Sequence, residues 1–210
     1  IAVHIGSQIM KVEPFREAWS KVVSLAQRLR EKGFAISRVD FGGGLGVPYF
    51  PADRPVDIVR IGAALSSTLA ARADALQGSR FATELGRWLV ADSGVYLTRI
   101  VDRKVSHGEL FLVVDGGLHH QLAASGNFGT VIRRNYPIAI ANRFGVAGDE
   151  VASVVGCLCT PLDRLGDQVL LPRAGVGDLV ALFQAGAYGA TASPAAFLGH
   201  QPAGEILIGQ

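Results

Sequence analysis

Cysteine is scarce in this chain: 210 residues contain two, Cys157 and Cys159. Two cysteines cannot build a disulfide framework or a four-cysteine zinc site. Charge is sparse too, at 18% of residues against a usual share of about 25%. The 20 basic and 18 acidic residues leave a net charge of +2. No lysine or arginine cluster forms a stripe, so no nucleic-acid partner is expected. No apolar run approaches the ~18 residues of a membrane span, so no membrane association is expected and the expected compartment is the cytoplasm. Internal repeats, low-complexity tracts and flexible linkers are missing as well. The opening Ile1-Ala2-Val3-His4-Ile5-Gly6-Ser7 has no initiator methionine, charged leader or signal peptide. It reads as mid-strand, as expected of a piece of a longer protein.

What is present is core material, with hydrophobic residues at 49%. Residues 1–9 read as a buried strand. A helix follows from Glu13-Pro14, with proline at a tolerated first-turn position. Phe15, Trp19, Val22, Val23, Ala26 and Leu29 recur at helical spacing, and Gly33 supplies the stop. A strand over 36–41 runs into Gly42-Gly43-Gly44-Leu45-Gly46. A proline-punctuated loop over 47–55 leads to a helix over 56–76, then a strand over 80–84 ending at Gly86-Arg87. Three strand–helix alternations predict parallel βαβ units. Three parallel strands alone leave edges and half a core uncovered, a second pointer to a missing N-terminal part.

After Gly94 the texture changes. Residues 96–105, 110–115, 136–144, 151–159, 169–171 and 178–185 are short β-branched runs between glycine, asparagine or proline. That predicts an antiparallel β region. The expected domains are therefore 1–94, an α/β domain, and 95–210, a β domain.

The glycines at 42–46 follow a strand, where backbone N–H groups can cradle a phosphate. They miss the dinucleotide fingerprint, because the third glycine position holds Val47, and no Gly-Lys-Ser/Thr makes a P-loop. A structural turn is the alternative. Glu84-Leu85-Gly86-Arg87 puts a carboxylate and a guanidinium at the next strand end, where barrel-like folds build sites. A surface ion pair is the blander alternative, and His4 reads either as a core histidine or as a site residue. Cys157 and Cys159 lack further metal ligands by spacing, so no metal is expected, and small buried hydrophobes are the alternative. Tyr188 lies among small residues that would let a ligand come close.

His4-Ile5-Gly6-Ser7-Gln8, Asp40-Phe41-Gly42-Gly43-Gly44-Leu45-Gly46, Glu84-Leu85-Gly86-Arg87, Cys159-Thr160-Pro161-Leu162-Asp163 and Gly186-Ala187-Tyr188 occur in order with natural spacing. Together they resemble the fold-type III pyridoxal-phosphate decarboxylases, the group of diaminopimelate, ornithine and arginine decarboxylases, over essentially the whole chain. Asp115-Gly116-Gly117-Leu118-His119-His120 and the Cys159–Asp163 motif look most like the exosortase-associated and carrier-protein-linked glutamyl decarboxylases.

The resemblance implies the last strands of a TIM-like (β/α) barrel followed by a C-terminal β-barrel or sandwich, in a homodimer with shared active sites. It implies pyridoxal 5'-phosphate as cofactor. His4 would stack on the pyridine ring. Ser7, Gly43, Gly44, Arg87 and Tyr188 would hold the phosphate, and Glu84 would pair with the pyridine nitrogen. Cys159 would reprotonate the carbanion left by CO₂, with Thr160 and Asp163 facing the substrate. The implied reaction is α-decarboxylation of an amino acid.

Three departures qualify the resemblance. The family's Schiff-base lysine lies upstream of this stretch, and Lys11, Lys21, Lys32 and Lys104 match no such motif. The 210 residues alone are therefore expected to be inactive. Leu85 stands at a position that is proline in the family. Thr160 stands where the family commonly has an acidic residue for a distal amine, which favours an acidic or carrier-linked substrate over diaminopimelate. A catalytically silent regulatory homologue and a nucleotide-binding domain are the competing readings. The retained Glu84, Arg87 and Cys159 argue against the first, and the failed fingerprint against the second.

Overall fold

A computed structural model describes residues 1–50, 52–126 and 134–209. Pro51, within the expected loop over 47–55, lies outside them. The chain divides into two compact units, Ile1–Val90 and Ala91–Gln210. No helix among the described residues is long and apolar enough to cross a membrane.

In the first unit, α1 spans Glu13–Glu31 with proline in its first turn. Its end is the expected one: Gly33 takes φ +87° and donates to the carbonyl of Arg30 at 2.8 Å, a left-handed stop that glycine adopts without strain. Phe15, Ala18, Trp19, Val22, Val23 and Ala26 form the buried face. All of these but Ala18 share a core with Val39 and Phe41 of β1 (Arg38–Gly43) and with Ile61 and Ala64 of α2 (Ile58–Ala70). Trp19 Nε1 donates to the carbonyl of Phe41 at 3.1 Å, and its ring meets Phe41 edge-on at 6.3 Å. So α1 is fastened to β1 just ahead of the glycines.

The helix expected over 56–76 is two helices. After α2, capped by Asp57 through the Arg60 N–H, the backbone leaves helical space at Arg72 (φ −140°) and resumes as α3, Ala73–Leu76. The break coincides with Leu76 entering the core. β2 (Arg80–Glu84) lies where its sequence predicts and pairs parallel with β1. A short helix, α4 (Gly86–Val90), follows it at once.

Residues 1–9 do not form the expected buried strand. They run parallel to β1 but make only isolated bridges, Ala2 to Asp40 within β1 and Ile9 to Leu45 just beyond it, and His4, Ile5 and Ser7 are exposed. Gly6 (φ +126°) and Gln8 (φ +60°) break the pleat between the two bridges. The segment is therefore a seam along the β1 edge.

The second unit is a six-stranded sheet in the order β5-β8-β3-β4-β6-β7. The strands are β3 Tyr96–Ser106, β4 Glu109–Val114, β5 Ile138–Ile140, β6 Glu150–Val155, β7 Arg164–Leu171 and β8 Leu179–Leu182. His107 and Gly108 join β3 to β4 with φ +51° and +83°, the two left-handed residues that suit a tight hairpin. The edges nearly meet: Asn135, leading into β5, donates to the Asp167 carbonyl of β7 at 2.7 Å and accepts its N–H at 2.8 Å. The sheet is thus barrel-like, around Ile100, Leu112, Val114, Ile140, Val154, Leu165, Leu171, Val180 and Leu182.

The sheet departs from a purely antiparallel one. β4 and β6 pair parallel, so both strands deliver their C-terminal ends to one rim. The run over 136–144 shrinks to Ile138–Ile140 and gives way to a 3-10 turn at Ala141–Arg143. β6 stops at Val155, short of both cysteines. Gly156 follows, and an ideal Cβ on it would lie 2.1 Å from Asp163 Oδ2, so the absence of a side chain there makes room for the Asp163 carboxylate.

Candidate functional site

The first unit gathers its candidates at the C-terminal ends of three parallel segments: residues 1–9, β1 and β2. Crowding requires the glycines. An ideal Cβ on Gly42 would fall 2.1 Å from the carbonyl oxygen of Val3, one on Gly43 1.7 Å from that of Glu84, and one on Gly44 2.1 Å from that of Gly6. Gly42 and Gly44 also take φ of +71° and +94°, which side-chain-bearing residues rarely adopt. Asp40, nearly buried, steadies the turn by accepting the Gly42 N–H at 3.0 Å. His4 and Ser7 therefore border Gly42 and Gly44, and Glu84 is the β-partner of Gly43. His4 is exposed. The Glu84 carboxylate is exposed as well, with no hydrogen bond or ion pair among the described residues.

Arg87 joins this group through a residue that motif reading passed over. Gln8 Nε2 donates to the Val47 carbonyl, and Gln8 Oε1 accepts from the Val47 N–H at 3.1 Å. The same oxygen lies 3.4 Å from Arg87 Nη1. The Arg87 guanidinium also sits 5.4 Å from the centre of the Tyr49 ring, a cation–π distance. Gln8 pins the loop after β1 and orients Arg87. The only sequence signal was its place in the His4–Gln8 motif.

In the second unit, Cys159, Thr160 and Asp163 lie in the loop after β6, which ends at Val155. Both cysteines are free and exposed. Thr160 shapes its own turn, donating its N–H to Leu158 O at 2.8 Å and accepting the Leu162 N–H at 3.3 Å on Oγ1. Asp163 is buried. Its oxygens accept the N–H groups of Leu118 at 2.6 Å and Leu158 at 2.9 Å, clamping the loops after β4 and β6 together. Burial pushes the Asp163 carboxyl up from the usual carboxylate range, against the pull of those two backbone hydrogen bonds. Tyr188 sits in the loop after β8 with φ +61°, strained for a bulky residue and the sort of outlier found at ligand sites.

The loop after β4 supplies residues with no assigned role. His119 is 1% exposed, and its Nδ1 is buried without a hydrogen-bond partner. Burial lowers its pKa to about 4, with His120 and His200 adding to the effect. The two neighbouring rings lie with centroids 3.8 Å (His120) and 5.0 Å (His200) away. His120 is held at both nitrogens, by the Tyr96 hydroxyl at 2.9 Å and the Gln201 carbonyl at 2.8 Å. Burial also raises Tyr96 to about 12 and pushes the Cys157 thiol up. Donor atoms that sequence spacing did not offer to Cys157 lie on distant segments: those of His119, Cys157 and His200 are all within 4.8 Å of one another.

Comparison with known families places the chain among pyridoxal-dependent enzymes. The family model described as "Pyridoxal-dependent decarboxylase, C-terminal sheet domain" matches residues 20–186. The chain belongs to that family, the ornithine, diaminopimelate and arginine decarboxylases, whose cofactor is pyridoxal phosphate. It is 39% identical over 212 residues to the L-glutamyl-[BtrI acyl-carrier protein] decarboxylase of Niallia circulans, covering 99% of this chain and 49% of that protein. A diaminopimelate decarboxylase of Archaeoglobus fulgidus is 34% identical over 208 residues, covering 99% of this chain and 48% of the relative. Among solved structures, a diaminopimelate decarboxylase from M. jannaschii in complex with L-lysine superposes with a TM-score of 0.83 at 28% identity, covering 96% of this chain and 45% of that one. The chain thus spans about half the length of the relatives it matches.

Proposed function

We propose that the chain is the C-terminal part of a pyridoxal-phosphate-dependent amino-acid α-decarboxylase whose substrate is acidic or carrier-linked. The observation that carries this is the crowded, left-handed glycine turn Gly42–Gly44 flanked by an exposed Glu84 and an oriented Arg87. These residues fit the cofactor. Only glycine lets the ends of the three parallel segments close up at Gly43 and Gly44, and the N–H groups of that turn would be offered to the phosphate, with Ser7, Arg87 and Tyr188 as further phosphate contacts. The Glu84 carboxylate is available to hold a proton on the pyridine nitrogen, and His4 to cover the ring. When bound, the cofactor supplies the electron sink for the pair left behind by CO₂.

The chain's own part in the chemistry falls to the loop after β6. Cys159 Sγ would deliver the proton to the carbon that has lost CO₂. Asp163 would hold that loop in place through Leu118 and Leu158, and Thr160 would face the substrate side chain. Supply of Cys159 from the second subunit of a homodimer belongs to the same reading, as does a TIM-like (β/α) barrel with domains at 1–94 and 95–210. The Schiff-base lysine is assigned to the part of the relatives' length that this chain does not span.

Thr160 and the glutamyl-carrier relative support the acidic or carrier-linked substrate. The diaminopimelate decarboxylases among the relatives support a second reading, diaminopimelate itself. Release of CO₂ by the full-length protein from a glutamyl-carrier conjugate, from free L-glutamate and from diaminopimelate separates them. Turnover of diaminopimelate at a rate comparable to the best substrate would overturn the first reading. No turnover and no bound pyridoxal phosphate would overturn both.

A further inference from the structure

We propose that His119, Cys157 and His200 form a binding site for a thiophilic divalent cation, Zn²⁺ by its chemistry, using none of the residues proposed above for the pyridoxal-phosphate site. The sheet topology builds it. Because β4 and β6 run parallel, the loops that follow them leave the same rim, one carrying His119 and the other Cys157. The Asp163 carboxylate ties those loops together through Leu118 and Leu158. Cys157 is further held by its N–H to the Gly116 carbonyl at 3.1 Å. The C-terminal segment then brings in His200, anchored one residue on by the His120–Gln201 hydrogen bond at 2.8 Å.

The three donor atoms lie within 4.8 Å of one another, and Cys157 Sγ is 3.9 Å from His200 Nδ1. Zinc bonds of about 2.3 Å to sulfur and about 2.0–2.1 Å to nitrogen place tetrahedral ligands roughly 3.3–3.6 Å apart. A small inward movement of side chains would close the set. His119 supplies the independent observation: it is 1% exposed and its buried Nδ1 has no partner, a condition folded proteins seldom leave uncompensated. Its neighbour His120 has both ring nitrogens engaged and Asp163 has both oxygens engaged, so neither competes as a ligand. One thiolate with two imidazoles is a donor set for Zn²⁺, Co²⁺ or copper and a poor one for Mg²⁺ or Ca²⁺. Three protein ligands leave the fourth position to water or to an atom of a bound molecule. Cys157 is exposed and His200 half-buried, which leaves an entry path.

Cobalt tests this directly. The full-length protein, stripped with EDTA and kept reduced, is titrated with Co²⁺ while the thiolate-to-metal charge-transfer band is followed in the near ultraviolet. One equivalent per chain with a thiolate band is expected, and Zn²⁺ should displace it. Cys157→Ser should abolish the band, and His200→Gln should weaken binding at least tenfold. Cys159→Ser should leave the band intact. Circular dichroism of the Cys157→Ser and His200→Gln variants separates lost ligation from lost folding. Absence of the band in the parent protein, its survival in Cys157→Ser, or its loss in Cys159→Ser would each overturn the proposal. None of these outcomes depends on pyridoxal phosphate.

Discussion

Gly43 faces the last residue of β2 so closely that an ideal Cβ on it would lie 1.7 Å from the carbonyl oxygen of Glu84. Backbone meets backbone there, and neither strand can yield without losing the pairing of Gly43 with Glu84.

Gly43→Ala is accordingly expected to destabilise the first unit by about 2 kcal/mol or more, in the range of overpacked cores. It should also weaken pyridoxal-phosphate binding. Urea unfolding and a cofactor titration on the same variant check both effects. An unchanged midpoint would show that the strands part freely.

Gln8 acts through others, on Val47 and Arg87. Gln8→Ala should raise the dissociation constant for pyridoxal phosphate about tenfold, the equivalent of ~1.4 kcal/mol. The rate at saturating cofactor should fall much less. Arg87→Lys should show the same split, since an ammonium cannot reproduce the guanidinium's planar geometry over Tyr49. A fall in rate at saturating cofactor with unchanged affinity would assign both residues to the reaction itself.

Asp163→Ala removes one acceptor from each of two buried N–H groups, Leu118 and Leu158. Leaving a buried donor without its partner costs about 1–3 kcal/mol. The measured loss should fall toward the lower end, because the variant also removes a carboxylate that burial disfavours. Hydrogen exchange at Leu118 and Leu158 should accelerate together. Protection that survives at either amide would remove the clamp role.

His119 titrates near 4 when folded and near 6.5 when unfolded. Between those values the unfolded chain binds the extra proton. Stability from this group is therefore complete above about pH 6.5 and drains away as pH falls toward 4, by up to about 3 kcal/mol. Cys157, His120 and His200 surround the ring, and burial is the largest cause. Metal-free protein should show a steeper loss of urea midpoint between about pH 6.5 and 4.5 than His119→Gln. Parallel curves would mean that His119 is not held neutral by the fold.

Local pattern made the first unit legible where one periodicity ran from start to stop. The Phe15–Trp19–Val22–Val23–Ala26 stripe, with proline at one end and Gly33 at the other, defines α1 completely, and Arg80–Glu84 coincides with β2. Reading failed where distant contacts override local preference. The break at Arg72, the early stop of β6 against Asp163 and the parallel β4–β6 pair leave no trace in β-branched runs. The site follows the same division. The glycine turn announced itself through composition, whereas Gln8 and the His119–Cys157–His200 cluster join segments that nothing in the chain order brings side by side.

The β4–β6 pair also bears on how the second unit folds. Its neighbour β3–β4 zips from a two-residue turn, a local event on the microsecond scale. Joining β4 to β6 must instead close a long loop before any contact rewards it. The barrel-like sheet therefore needs more than hairpin growth, and the meeting of Phe111, Leu112 and Val113 with Ser153, Val154 and Val155 is expected to come later than the β3–β4 hairpin. Substitutions there should slow refolding, while those in the His107-Gly108 turn should act mainly on the early hairpin.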